Sequence, residues 1–160
     1  MVSEYDELTL LSNKATNYQF DEPSDSILEA FPNPRPGRPY VVGLECLEFT
    51  SLCPITSQPD YGQISIAYVP DARCVESKSL KLYLVAYRNH GAFHEDCVNS
   101  IAEDLIRTID PLCLRVFGEF NARGGIAIHP LVMHYQVGLD HEKVQEIRDV
   151  VFQYDQVRPR

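Results

Sequence analysis

The sequence predicts an α+β domain, one antiparallel four-stranded sheet carrying two helices on one face, in the order β-β-α-α-β-β. Three observations lead there. Residues 40–51 and 63–69 read as two strands separated by a proline-bearing loop. Residues 79–87 and 93–108 carry apolar side chains at helical spacing. Residues 113–121 and 126–135 read as two further strands about a glycine turn. A sheet of this kind has two open edges, and pairing with another copy is one remedy, so a homo-oligomer is expected.

Residues 1–38 are polar and rich in proline. The run Phe31-Pro32-Asn33-Pro34-Arg35-Pro36-Gly37-Arg38 excludes a helix or a central strand. The segment reads as an N-terminal extended arm, either packed on a neighbouring surface or disordered. The first strand follows from the β-branched and aromatic run with partial alternation at Val42, Leu44, Cys46, Leu47 and Phe49. Pro54, Pro59 and Gly62 make 53–62 a loop, and Ile64, Ile66 and Tyr68 alternate beyond it. Leu80, Leu84 and Tyr87 line one face of the first helix, and Val98, Ile101, Leu105 and Ile106 one face of the second, which Pro111 follows. Ala122-Arg123-Gly124-Gly125 turns the last two strands about each other. The core domain is thus expected over 39–136, with a charged C-terminal tail over 137–160 holding a short helix near 142–151.

At 160 residues with 44% apolar content the chain is sized for one domain that needs neither metal nor disulfide to fold. Lys and Arg against Asp and Glu give 14 − 23 = −9, which argues against broad binding of nucleic acid, since phosphate neutralisation needs a positive face. No apolar window is long enough to span a bilayer, and the start has no basic region followed by an apolar one. Five cysteines without C-x-x-C pairs do not form a secreted disulfide pattern, so the cytoplasm is the expected compartment.

The segment with most chemistry is Phe49-Thr50-Ser51-Leu52-Cys53-Pro54-Ile55-Thr56-Ser57-Gln58-Pro59-Asp60-Tyr61-Gly62. Cys53 leaves a strand into a constrained polar loop, and a thiol is a strong nucleophile wherever its surroundings favour the thiolate. Asp60 lies where the returning loop can bring a carboxyl beside it as proton donor and acceptor. A carboxylate free in water is a weak proton donor at neutral pH, so Asp60 is expected to be desolvated in the closed site with its pKa raised. A cysteine at a strand end is otherwise a small buried hydrophobe, and both readings stand on the residues alone.

Two helix starts add polar groups. In Val75-Glu76-Ser77-Lys78-Ser79-Leu80-Lys81, Glu76 can accept from ring N–H groups of a purine-like base, and Lys78 and Lys81, three apart, can face phosphates. An ordinary capped helix with solvated lysines is the alternative. His94 and Glu95 open the second helix, where acids also complement the helix dipole. Gly124 and Gly125 can let backbone N–H groups approach a phosphate beside Arg123, or simply make a turn. No dinucleotide fingerprint follows a strand, so no Rossmann domain is expected.

The cysteine–aspartate loop, Glu76-Ser77-Lys78-Ser79-Leu80-Lys81, Phe93-His94-Glu95 and Gly124-Gly125-Ile126 together resemble the QueF family of 7-cyano-7-deazaguanine reductases in its short form, from about Arg35 to Tyr135. The resemblance implies the tunnelling fold, whose β-β-α-α-β-β units assemble into rings with sites between subunits, here two stacked pentamers. It implies NADPH-dependent reduction of the nitrile to a primary amine in queuosine biosynthesis. Cys53 would form a thioimide with the nitrile carbon, and Asp60 would move protons. Val75, Glu76, Ser77, His94 and Glu95 would hold the deazaguanine. Lys78, Lys81, Arg123, Gly124 and Gly125 would receive the NADPH, and no metal or direct nucleic-acid partner is implied. Cys97, two residues past Glu95, is either a buried helix cysteine or a reversible disulfide partner for Cys53. A zinc-dependent cyclohydrolase of related fold, or a nucleotide-binding module without catalysis, are the competing functions.

Overall fold

A computed structural model describes residue 9 and residues 16–157. Its main sheet is antiparallel and four-stranded, in the spatial order β2 (Val42–Leu52), β3 (Pro59–Val69), β5 (Cys113–Phe120) and β6 (Leu131–Tyr135). Between β3 and β5 come α1 (Ser77–Val85) and α2 (His94–Ile109). Two three-residue strands, β1 (Ala30–Pro32) and β4 (Arg73–Val75), form a separate antiparallel pair. The α+β class and the six-element order are therefore as expected, with the small second sheet added.

The element ends move for local reasons. Helix α1 begins at Ser77, two residues earlier than its apolar spacing indicates, because the Glu76 carboxylate accepts from the N–H groups of Lys78 and Ser79, both at 2.8 Å. The loop expected over 53–62 is confined to 53–58, closed by Cys53 N–H to Gln58 C=O at 2.8 Å and Ser57 N–H to Cys53 C=O at 2.9 Å. Pro59 is tolerated because it is the first residue of β3, where no ladder donor is lost from the interior. The last strand, expected from Ile126, starts only at Leu131. Residues 126–130 run beside β5 with two bonds, Phe120 N–H to Ile128 C=O and Gly118 N–H to Pro130 C=O, and Pro130 has no N–H to return.

The register of β2 against β3 slips once. Cys46 pairs with Ile64 but Phe49 with Gly62, so three steps on β2 match two on β3. This bulge at Leu47 and Glu48 changes which side of the strand faces inward. Before it, Val42, Leu44 and Cys46 pack against the core; after it Phe49 and Ser51 are buried. Gly62 lets β3 and β5 close together, since a Cβ there would sit 2.6 Å from the Glu119 carbonyl oxygen.

Helices α1 and α2 cover one face of the sheet. Tyr83, Val98, Ile101 and Leu105 interlock with Ile64, Ile66, Leu114 and Val116. The two helices run antiparallel, so that Tyr83 O–H donates to Asp104 at 2.6 Å and lies 3.0 Å from Tyr87 O–H. Residues 24–33 also pack on this side. Leu28 joins the core, Glu76 N–H donates to Glu29 C=O at 2.8 Å, and Arg107 pairs with Asp25 at 3.0 Å.

The segment after 137 holds more than a short helix. Helix α3 (His141–Val157) lies on the opposite face of the sheet, so the expectation of helices on one face alone is corrected. Ile147 is fully buried against Val69 and Cys113, Arg115 makes a two-pronged pair with Asp155 at 2.7 and 2.8 Å, and Tyr154 fills the space a Gly43 side chain would occupy. Ile147→Ala is expected to cost about 2–5 kcal/mol, read as a lowered denaturation midpoint. An unchanged midpoint would mean that α3 contributes no packing. No helix among the described residues is long and apolar enough to cross a membrane.

Candidate active site

Cys53 leaves β2 at the tip of the β2–β3 hairpin and is buried, 7% exposed. Its thiol is pulled down from an ordinary value of 9.0 to about 6. The Thr56 hydroxyl, donating to the sulfur, is the largest cause; the N–H groups of Thr56 and Ile55 and the Arg123 guanidinium follow, against a small opposing effect of desolvation. The tight loop creates this cradle. Ser57, in the left-handed region at φ 55, turns the chain so that two successive N–H groups point inward at the sulfur. The Thr56 oxygen is itself held by the Gln58 N–H at 3.5 Å.

Asp60, expected on the loop, is instead the second residue of β3, directly across from Ser51. It is buried, 7% exposed, and each oxygen has a basic neighbour: Arg123 Nη1 lies 3.0 Å from Oδ1 and His94 Nε2 3.3 Å from Oδ2. The His94 contact is out of line for a hydrogen bond, leaving Nε2 buried without a partner among the described residues. The ring is fixed by stacking on Phe120, with centroids 4.0 Å apart and planes 16° from parallel. A buried, oriented imidazole nitrogen beside a carboxylate is ready for an incoming polar group.

Arg123 reaches this cluster from a two-residue turn. Arg123 N–H to Ile126 C=O at 3.0 Å and Ile126 N–H to Arg123 C=O at 3.3 Å close it, with Gly124 at φ 62 and Gly125 at φ 82. Positive φ at both central positions is the requirement of this turn type, and it accounts for both glycines. Cys97 lies deeper, fully buried on α2 beside the buried Ser51 hydroxyl, and desolvation pushes its thiol up to about 11. Every cysteine is reduced in this structure.

The remaining site candidates lie elsewhere in the chain. Tyr83 meets Asp104, so the first turn of α1 is directed toward the C-terminal end of α2, whereas His94 and Glu95 open α2. At 1.5 Å per residue α2 alone is about 24 Å long. Val75 is held by its N–H donating to the Tyr68 hydroxyl at 3.2 Å, and Glu76 caps α1 with both oxygens, Oε1 also accepting from the Ser77 hydroxyl at 3.4 Å. Ser77 and Lys81 are exposed, Lys78 half-buried. Glu95 is exposed in the first turn of α2. The chain thus joins Cys53, Asp60, His94 and Arg123, and sets Val75, Glu76, Ser77, Lys78 and Lys81 apart from them.

A groove of about 520 Å³ runs between α1 and β2. Ser77, Lys81 and Arg88 line its helix side, Leu44, Leu80 and Leu84 its floor, and Glu45 and Glu48 its strand side. A second cavity, of about 680 Å³, follows β2 past the bulge to Leu52, Pro59 and Asn121. Sequence reasoning counted Thr56 in the polar setting of Cys53 without giving it a role, and missed Arg88.

The pH response of Cys53 follows from its cradle. Its alkylation rate is expected to climb as pH rises through about 6 and to level off by neutral pH, where an ordinary thiol would still be climbing. Thr56→Val removes the largest cause, so its midpoint moves upward and alkylation at neutral pH slows severalfold. Coincident profiles for the two proteins would remove Thr56 from this role.

A cysteine whose loop favours the thiolate, near a buried carboxylate at the end of β2, has the chemistry of a candidate nucleophile. Comparison with known proteins shows the family. The family model described as QueF-like protein matches residues 59–138. The NADPH-dependent 7-cyano-7-deazaguanine reductases of Bacillus licheniformis and Bacillus subtilis are 53% and 52% identical over 146 residues, covering 91% of this chain and 88% of each of theirs. That of Helicobacter pylori is 57% identical over 126 residues, 79% of this chain and 85% of its own. A crystal structure of the archaeosine synthase QueF-Like in the apo form shares the fold, with a TM-score of 0.56 at 20% identity, over 64% of this chain and 99% of that one. The chain belongs to the QueF family.

Proposed function

We propose that this protein reduces the nitrile of 7-cyano-7-deazaguanine to the aminomethyl group of 7-aminomethyl-7-deazaguanine with NADPH, a step of queuosine biosynthesis. The relatives' shared name supports the substrate and the reductant. The observation that carries the chemistry is the cradle holding Cys53 as a thiolate beside buried Asp60.

A nitrile accepts hydride poorly until a nucleophile converts it to C=N. The Cys53 sulfur adds to the nitrile carbon, one C–N π pair moves to nitrogen, and Asp60 delivers the proton that nitrogen takes, giving a thioimide. NADPH supplies a hydride to the same carbon in each of two reductions. After the first, the C–S bond breaks and Cys53 leaves as thiolate; a proton reaches nitrogen at each stage through Asp60. The sum is R–C≡N + 2 NADPH + 2 H⁺ → R–CH₂–NH₂ + 2 NADP⁺. His94, whose buried ring nitrogen has no hydrogen-bond partner among the described residues, and exposed Glu95 would hold the base near Cys53.

The residues of the α1–β2 groove suit the reductant. Lys81 and Arg88 offer charge to phosphates, with Lys78 on the neighbouring turn, above an apolar floor of Leu44, Leu80 and Leu84. The separation of Val75, Glu76 and Ser77 from His94 within one chain supports a site completed between copies, in a tunnelling-fold ring of two stacked pentamers. Each copy would give the cysteine half of one site and the Glu76 half of the next. The domain over 39–136 would form the ring, in the cytoplasm, without nucleic acid.

Purified protein, the nitrile and NADPH are expected to consume two NADPH per amine formed, followed by nicotinamide absorbance and by chromatography of the product. No consumption, or a ratio of one, would overturn the reading.

A further inference from the structure

Arg123 lies where one guanidinium meets two acidic groups. Its backbone is fixed by the closed Arg123–Ile126 turn, and its side chain crosses to β3, with Nη1 3.0 Å from Asp60 Oδ1. The same guanidinium lies near enough to the Cys53 sulfur to favour its thiolate, and the sulfur in turn raises the pKa of Arg123. A guanidinium carries five N–H donors in a planar fork, so it can serve two neighbouring anions where a lysine would offer a single point charge.

We propose that Arg123 is a positioning residue that grips the Cys53 sulfur and the Asp60 carboxylate in one fork, and so sets the two in register before any ligand arrives. The idea rests on the reading of Cys53 and Asp60 as the reacting pair and deepens it. The phosphate role that the family resemblance gives Arg123 makes a different demand. While the fork is closed the guanidinium is turned toward Asp60 and Cys53, and its charge is shared between them rather than offered to a phosphate.

The groups facing the pair are few and named. From the hairpin loop come the Thr56 hydroxyl and the N–H groups of Ile55 and Thr56; from α2 come His94, 3.3 Å from Asp60, and Cys97, fully buried behind it. Glu95 and Asp96 are exposed in the first turn of α2. Arg123 is the group that pairs with Asp60 and also acts on the Cys53 thiol. Its removal is therefore expected to free the carboxylate to rotate and to weaken the thiolate together.

The test compares Arg123→Gln and Arg123→Lys with the wild type, each checked for folding by circular dichroism and for assembly by sedimentation. The readout is the rate of Cys53 alkylation by iodoacetamide against pH, on protein free of ligands. Arg123→Gln is expected to shift the alkylation midpoint upward and slow the reaction severalfold at neutral pH, with kcat falling more than the KM for NADPH rises. Arg123→Lys, which keeps the charge and loses the fork, should fall between the two and also covers the case in which the glutamine variant does not fold. Alkylation profiles that overlay the wild type, with a raised KM for NADPH alone, would overturn the proposal and leave Arg123 a phosphate cation. The readout needs neither nitrile nor reductant, so its outcome is separate from that of the reductase assay.

Discussion

Cys53→Ala is expected to lower turnover by about 10³-fold or more, because the nitrile then has no nucleophile to convert it to a reducible C=N. The sharper measurement omits the reductant. Wild-type protein mixed with 7-cyano-7-deazaguanine should gain the mass of one substrate per chain, and the alanine variant should gain none. The other cysteines are poor substitutes. Burial raises the thiols of Cys46, Cys97 and Cys113, the last two to about 11, so they stay protonated at neutral pH while Cys53 does not. An adduct that persists in Cys53→Ala would move the nucleophile elsewhere; an adduct absent from the wild type would argue against the thioimide.

Asp60→Asn should separate addition from reduction. Asparagine keeps the shape and an oxygen that can accept from Arg123, so the hairpin and the fork survive while the transferable proton is lost. Turnover is expected to fall by about 10²–10⁴-fold, the usual share of a general acid. Adduct formation should persist, more slowly, since the sulfur remains ionised by its own loop. A pH–rate profile that overlays the wild type would sink the assignment of Asp60 as proton carrier.

Much of this architecture could be read before the structure, and the exceptions have physical causes. Period-2 alternation located β2 and β3, and helical spacing located α1 and α2, because each element buries one face. Helix α3 was harder. Val144, Ile147, Val151 and Tyr154 form a narrow stripe in a charged stretch, and only the presence of a second sheet face makes that stripe a buried one. In the site, Cys53 and Asp60 were legible because a short constrained loop joins them. The contact of Asp60 with His94 and Arg123 was not, since it depends on β3, α2 and the turn after β5 meeting at one corner, and no local pattern encodes that meeting. Glu76 was legible as a cap and as a ligand alike, for a carboxylate at a helix start suits both.

The bulge in β2 has a consequence for how this hairpin tolerates change. Side chains along a strand alternate, so the parity of the count from Val42 to Cys53 decides which of them look inward. Leu47 and Glu48 spend one residue without a partner, and beyond that extra step Phe49 and Ser51 face the core. Their identities are free to vary, since Leu47 is 65% exposed. Their number is not. Deleting either one would even the pairing, with Phe49 still opposite Gly62 and facing the core, and would remove the extra bend and twist that the bulge puts into the hairpin ahead of Cys53.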